Sequence, residues 1–143
     1  MKFGLAHNTW AVLAGGGASG NVDGNGSAAT FSLSGGADLA IDSSGYLYIR
    51  SLDTVRKTSP DGVVTTLATG LTTASNAIAV DKQGNVYTAG SRVIYRRPAN
   101  GSIASYPFTA TSDFITSMTR DSAGNLFVGT RGVGAQILKI TFL

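Results

Sequence analysis

The chain has 143 residues, of which 43% are hydrophobic and only 13% are charged, a balance that fits one folded domain and excludes a disordered tail. Its 19 Gly, 15 Ser and 16 Thr residues and its complete lack of Glu and Cys exclude helix bundles, coiled coils and disulfide scaffolds, and they favour an all-β protein. The net charge of +3 comes from scattered Lys and Arg residues, whereas nucleic-acid-binding proteins concentrate positive charge on one face, so we expect no nucleic-acid partner.

The N-terminal segment predicts neither an export signal nor a membrane anchor. His7, Asn8 and Thr9 interrupt the apolar residues before a run long enough for a signal peptide can form. No stretch of the chain reaches the roughly 18 apolar residues that a membrane-spanning helix needs. We therefore expect a chain that is made without export and that works in the cytoplasm or on a virion.

A repeat of about forty residues follows the Gly-rich segment 14–36. Three stretches align at this period: LAIDSSGYLYI (39–49), IAVDKQGNVYT (78–88) and MTRDSAGNLFV (118–128). Each stretch carries an Asp three positions before a Gly, and an apolar strand follows. These pairs are Asp42 and Gly45, Asp81 and Gly84, and Asp121 and Gly124. A period of about 40 residues with several short strands per repeat is typical of β-propeller blades.

Alternation of apolar residues and the placement of turn residues divide each repeat into strands. Blade 1 (37–70) is predicted to have strands at 37–42, 46–51, 54–58 and 63–69; blade 2 (76–108) at 76–81, 85–89, 92–97 and 102–108; and blade 3 (115–143) at 115–120, 125–130 and 136–142. Blade 3 thus lacks a fourth strand. Because TWAVLAG (9–15) matches VTTLATG (64–70), the fourth strand of blade 1, we expect residues 9–15 to complete the third blade.

The segment 14–36 resembles the NHL-repeat β-propellers. Asp23-Gly24, Gly26, Ala29 and Phe31 keep the DG-x-G-x-x-A-x-F spacing of that family, and the strand LAIDSSGYLYI follows it. The resemblance spans nearly the whole chain and implies a β-propeller with four-stranded antiparallel blades. Ser34 stands where the family usually has Pro, and this chain has three blades where the family typically closes with six.

The number of blades predicts self-association. Closed propellers have roughly four to eight blades, because wedge-shaped sheets cannot fill a tighter circle. An open half-ring exposes apolar faces and strand edges. We therefore expect a two-fold symmetric homodimer, in which the N-terminal strand of each subunit completes the last blade of the other and a six-bladed ring results. The expected interface residues are Trp10, Val12, Leu13, Leu138, Ile140 and Phe142.

No residue pattern predicts a catalytic residue, a metal ion or a cofactor. The recurrent Asp and Gly residues are interpreted as turn residues, since every repeat needs the turn. The loop from Asp23 has oxygen ligands at alternate positions like a calcium loop, but it lacks the Gly at the sixth position and the acid at the twelfth. A resemblance to lactonase- and regucalcin-like propellers would imply a divalent metal held by Glu, Asn and Asp, yet the chain has no Glu.

Three Arg residues are the candidate partner-binding site. Arg50, Arg92 and Arg131 all lie near the connection between the second and third strands of a blade, which would place them on one rim of the ring. Arg binds partners through its planar guanidinium and by stacking, although a purely solubilising role is the alternative. Three further basic residues are expected on blade surfaces, namely Arg56, Arg96 and Lys139.

These features together predict a non-enzymatic propeller scaffold that closes into a ring and binds a protein or carbohydrate partner. The Gly-, Ser- and Thr-rich composition without Cys or Glu would suit a virion decoration or tail-fibre protein. Two alternatives stay open from the sequence. One is a metal-dependent hydrolase at the channel of the closed ring, and the other is a lectin-like propeller with shallow sites between blades.

Overall fold

The computed structural model describes residues 9–72, 75–108 and 114–142, which form an all-β chain with one short 3-10 turn at Gly26–Ala28. The strands make three antiparallel sheets that follow one another along the chain. No helix in this part of the chain is long and apolar enough to cross a bilayer. The prediction of an all-β propeller built of antiparallel blades is confirmed.

Blade 1 is a four-stranded meander with a short fifth strand at its outer edge. The order across the sheet is β1–β5–β4–β3–β2. The bounds are Gly24–Asn25 (β1), Ala37–Ile41 (β2), Leu47–Ser51 (β3), Thr54–Thr58 (β4) and Val63–Ala68 (β5). The two residues of β1 pair with the start of β5, so the Gly-rich segment is attached to the outer edge of this blade.

Blade 2 repeats the four-stranded meander, and blade 3 repeats it with three strands. Blade 2 consists of Ile78–Val80 (β6), Val86–Gly90 (β7), Val93–Arg97 (β8) and Ala104–Pro107 (β9), in the order β6–β7–β8–β9. Blade 3 consists of Phe114–Arg120 (β10), Leu126–Arg131 (β11) and Ile137–Ile140 (β12), in the order β10–β11–β12. Among the described residues, the outer edge of β12 therefore pairs with no strand.

Within a single chain, residues 9–15 belong to no strand. Whether they complete the last blade of a second copy stays a prediction. Within one chain they lie beside blade 1, where the amides of Gly15 and Gly16 donate hydrogen bonds to the carbonyls of Gly26 and Ala29 at 3.0 and 2.9 Å. A strand needs a neighbouring edge with unpaired backbone groups, and in blade 1 the two residues of β1 already pair with the outer edge of β5. The segment therefore joins no sheet in the described chain, and the amide of Gly15 is hydrogen-bonded to the loop.

The hydrophobic core lies between the blades. The cluster between blades 1 and 2 contains Tyr48, Val55, Leu71, Ile78 and Val86. The cluster between blades 2 and 3 contains Ala77, Ala79, Tyr87, Ala89, Ile94, Phe108, Ile115, Met118, Leu126 and Val128. The inner strands β2 and β10 both contact β6, so blade 2 is covered on both faces, whereas blades 1 and 3 are each covered on one.

Candidate functional site

The repeated Asp residues hold the turns between the first and second strands of each blade. Asp42 Oδ1 accepts hydrogen bonds from the amides of Ser44 and Tyr46 at 2.9 and 3.0 Å. Asp81 accepts from the amides two and four residues later at 3.0 and 2.9 Å, and Asp121 accepts from the amide four residues later at 2.9 Å. The Gly three positions after each Asp has φ of 84°, 82° and 89°, a left-handed conformation that favours Gly. These three carboxylates therefore hold the backbone of the turns in place.

Two of these carboxylates also orient a buried tyrosine. The Tyr48 hydroxyl donates to Asp42 Oδ2 at 3.1 Å, and Tyr87 makes the equivalent, longer bond to Asp81 at 3.4 Å. Burial raises the pKa of Tyr48 to about 12, and the hydrogen bond to the Asp42 carboxylate adds to this shift. Both effects disfavour the tyrosinate, so the Tyr48 hydroxyl stays a hydrogen-bond donor over the whole neutral range.

Replacing Tyr48 with Phe is expected to remove an alkaline transition. Because the pKa of Tyr48 is raised in the folded chain from 10.0 to about 12, its contribution to the free energy of unfolding is complete below pH 10 and is lost as the pH rises through about 12. Absorbance of tyrosinate near 295 nm, followed from pH 9 to 13, should lose its latest-titrating component in Y48F. A Tyr106→Phe control should retain that component, because Tyr106 is exposed; an unchanged late component in Y48F would contradict the assignment.

An ion pair between the buried Arg56 and the exposed Asp23 fixes the Gly-rich segment to blade 1. Arg56 Nη2 lies 2.9 Å from Asp23 Oδ1, and the same guanidinium donates to the carbonyls of Val22 and Thr30. Asp23 also accepts hydrogen bonds from the amide and hydroxyl of Thr66 at 3.0 and 2.8 Å. Although partial burial raises the pKa of Asp23, the hydrogen bonds from Thr66 and Arg56 outweigh it, and the net shift is downward.

This ion pair revises two sequence interpretations. Arg56 does not lie on a blade surface, because it is only 2% exposed, and its position on the Phe31 ring, 4.8 Å from the centroid, places it inside the loop. The calcium-loop alternative is also disfavoured, since both oxygens of Asp23 already accept hydrogen bonds. Within the ranges that the structure describes, no three His, Cys, Asp or Glu side chains come together as metal ligands would.

Arg50 cannot serve the partner-binding role predicted for it. It is fully buried, and its guanidinium donates to the carbonyls of Thr72 at 2.6 Å and Thr54 at 3.5 Å. Burial lowers the pKa of this guanidinium. The side chain turns inward because it supplies donors to backbone carbonyls that would otherwise lose their partners at the connection to blade 2.

Arg92 and Arg131 remain on the surface. Arg92 is exposed in a two-residue hairpin turn and has φ of 59°, the left-handed conformation that such turns require. Arg131 is exposed at the end of β11, with its Cζ 5.9 Å from the centroid of the Phe114 ring. Of the other basic residues expected on blade surfaces, Lys139 is exposed, whereas Arg96 is partly buried and donates to the Tyr87 hydroxyl at 3.3 Å.

The outer face of blade 1 is an uncovered apolar surface, which we call the blade 1 face. Its exposed residues are Leu33, Leu39 and Ile41, and the half-buried Phe31 and Leu47 and the buried Ile49 lie beneath them. Leu39 and Ile41 are 60% and 63% exposed. A cleft of about 250 Å³ on this face also includes Leu13. Neighbouring exposed apolar residues of this kind make the blade 1 face a candidate site of association.

The six residues predicted for the oligomer interface divide into two groups. Trp10, Val12 and Leu13 are exposed, with Trp10 at 93% and Val12 at 81%, and Leu13 lies next to the blade 1 face. The side chains of the other three residues instead pack on the core between blades 2 and 3, and these are Leu138, Ile140 and Phe142. These three side chains are therefore not available to a second copy. The part of β12 that a second copy could contact is its outer backbone edge, which pairs with no strand among the described residues.

Comparisons with known proteins identify the fold. A family model described as "Two component regulator propeller" matches residues 110–132, which cover β10 and β11 of blade 3. Among solved structures, the chain is similar to a streptogramin B lyase, with 15% identity and a TM-score of 0.54 over 73% of this chain and 39% of the lyase. It is also similar to a catalytically inactive virginiamycin B lyase from Staphylococcus aureus solved with quinupristin, with 16% identity and a TM-score of 0.52 over 73% of this chain and 40% of that lyase. No curated protein matches the chain in sequence.

These likenesses show a β-propeller and nothing finer. At 15% and 16% identity they carry the fold alone. The chain spans about two fifths of the length of these lyases. The propeller repeat found in the sequence is therefore confirmed, while the resemblance to the NHL family in particular stays a prediction.

Proposed function

We propose that this chain is a non-enzymatic propeller scaffold, which closes into a six-bladed ring with a second copy and presents that ring to a macromolecular partner. The observation that carries the proposal is the pair of uncovered surfaces on the outer blades. The blade 1 face is apolar and exposed, and the β12 edge of blade 3 lacks an outer strand among the described residues.

The strand pattern supports a second copy as the occupant of the β12 edge. In blades 1 and 2 the third strands, β4 and β8, pair with the fourth strands β5 and β9. Residues 9–15 match the sequence pattern of β5 and belong to no strand of the described chain. Within them, Trp10 and Val12 are 93% and 81% exposed. The same segment can therefore occupy the missing fourth position in another copy, where its backbone groups gain partners.

The two outer blades are also suited to contact each other. On blade 3, Ile137 is 78% and Phe114 is 40% exposed, and both lie on the face that does not contact blade 2. A two-fold arrangement brings this face of one copy against the blade 1 face of the other, twice, and gives the β12 edge of each copy a strand partner.

The ring would then present its rim to the partner. Arg92 and Arg131 are exposed at second-to-third-strand connections of blades 2 and 3, and Arg at such positions favours recognition of carboxylate-bearing partners. The partner belongs to the protein or carbohydrate class, and a virion decoration or tail-fibre component is the setting that we propose.

Deleting residues 1–12 is expected to convert the dimer into a monomer without unfolding the blades. The deletion removes Trp10 and Val12 and keeps Gly15 and Gly16, which anchor the segment to the loop. Light scattering on a sizing column should give twice the chain mass of 14.6 kDa for the full chain. The deleted chain should give the mass of one chain, which is smaller than 14.6 kDa by the twelve residues removed.

The control is Ile103→Ser, which removes an exposed apolar residue from the middle blade and should leave the mass of the dimer unchanged. A full chain that is monomeric at all concentrations, or a deleted chain that is still dimeric, would overturn the proposal. A metal assay on the same eluted peak tests the hydrolase alternative, because a stoichiometric divalent ion would favour that alternative over a scaffold.

A further inference from the structure

A polar cleft of about 380 Å³ lies between blades 1 and 2, next to the Asp turns that join their first and second strands. Both walls belong to one chain, so the cleft exists whether or not the ring closes. Its charged and amide side chains are Asp42, Lys57, Lys82, Gln83, Arg97 and Asn100. Its volume is at the lower end of the roughly 300–1,000 Å³ found for small-molecule sites, which suits a ligand of one or two rings.

The cleft carries uncompensated positive charge. Within the described ranges, none of the Lys57, Lys82 and Arg97 side chains has a carboxylate oxygen within 4.0 Å. The one acid in the cleft, Asp42, has both oxygens engaged by the turn amides and by the Tyr48 hydroxyl. Three cations therefore face a cavity in which the only carboxylate is already satisfied, and an anionic ligand group would compensate them.

The cations come from three separate strands and turns, so their convergence depends on how the blades pack. Lys57 lies on β4, Lys82 in the turn after β6, and Arg97 at the end of β8. Lys57 is held in place by two aromatic rings, with Nζ 4.1 Å from the Tyr46 centroid and 5.5 Å from that of Tyr48. This contact orders the ammonium group before any ligand binds, which reduces the entropy lost on binding.

We propose that this cleft binds a sugar unit that carries a carboxylate, such as a uronic acid. The three cations suit the carboxylate, and the planar guanidinium of Arg97 can bind both of its oxygens. The amide side chains of Gln83 and Asn100 each donate and accept hydrogen bonds, as sugar hydroxyls require. A bare phosphate would need donors only, so these amides favour a hydroxyl-rich ligand.

Titration of the full chain with D-glucuronate tests this inference, with amide chemical shifts in NMR as the readout. We expect roughly millimolar binding, with shifts at Lys57, Lys82 and Arg97, and with weaker binding as salt is raised. D-glucose, which lacks the carboxylate, should bind at least tenfold more weakly. The double variant Lys82→Gln with Arg97→Gln should also weaken binding at least tenfold.

The matched control is Lys139→Gln, which removes an exposed charge from blade 3 and should leave the affinity unchanged. An unaltered amide spectrum away from the cleft shows that each variant is folded. Saturation by inorganic phosphate at the same concentration as glucuronate would overturn the sugar assignment. Absence of glucuronate binding, or binding that is insensitive to the double variant, would overturn the site itself.

Discussion

Replacing Arg56 with Met is expected to lower the free energy of unfolding by about 3 kcal/mol. The guanidinium is buried and donates to Asp23 and to the carbonyls of Val22 and Thr30. Met preserves much of the apolar contact of the stem but offers no donor, so two backbone carbonyls and one carboxylate lose a partner at once. Urea unfolding followed by fluorescence measures the change.

Arg131→Met is the matched control for this substitution. It makes the same chemical change at an exposed residue, where the loss should stay below about 0.5 kcal/mol. The variant Asp23→Asn separates the ion pair from the carbonyl contacts, because Arg56 retains the carbonyls of Val22 and Thr30. A loss in R56M no larger than in R131M would show that the Gly-rich segment does not depend on this guanidinium.

Replacing Leu39 with Asp is expected to weaken the proposed dimer by about 3 kcal/mol, roughly a hundredfold in its dissociation constant. Leu39 is 60% exposed on the blade 1 face, so a carboxylate there is solvated in the monomer and loses its water only when the second copy covers it. Sedimentation over a range of concentrations measures the constant.

The control for L39D is Ile103→Asp in blade 2. This variant adds the same charge at an exposed apolar position that belongs neither to the blade 1 face nor to the β12 edge. It should leave the dissociation constant unchanged. Equal weakening by both variants would indicate a general effect of net charge, and no weakening by L39D would exclude the blade 1 face from the interface.

Most of the strand pattern could be read from the sequence because blade strands alternate. In β2, exposed and half-buried residues alternate over Ala37–Ile41, and turns follow at Asp42 and Asp81, where a side-chain oxygen caps the turn amides. Both patterns depend only on residues close together in the sequence, so they can be recognised without knowing how the blades pack.

The predictions that were wrong concern residues whose surroundings depend on the neighbouring blades. In β4, four of the five residues of TVRKT are buried, because the Gly-rich segment covers one side and blade 2 the other. Arg56 in this strand is placed by carbonyls 26 and 34 residues away, and Arg50 in β3 is likewise placed by a carbonyl 22 residues away. The available sequence signal for Arg56 was Phe31 in the Gly-rich segment, because an aromatic ring there can cover a residue of blade 1, as it does Arg56.

The candidate cleft could not be predicted from the sequence, because its residues meet only when the blades pack together. Lys57, Lys82 and Arg97 are spaced 25 and 15 residues apart, and only the packing of blade 1 on blade 2 brings them to one cavity. Likewise, the inward direction of Leu138 and Ile140 depends on which face of β12 meets blade 2. Alternation identifies two faces of a strand but does not say which one a neighbour covers.

In the described part of the chain, blade 2 packs against both other blades, whereas blades 1 and 3 each pack against blade 2 alone. Every residue of β7 is buried, and the inner strand β6 contacts both β2 and β10. In an array whose units contact only adjacent units, such a blade couples the two ends. A destabilising substitution in blade 2 would weaken its packing against both blade 1 and blade 3, whereas one in blade 1 or blade 3 would weaken a single interface. Tolerance to mutation should accordingly be lowest at the centre of the chain, and amide protons of β7 should be the last to exchange with solvent.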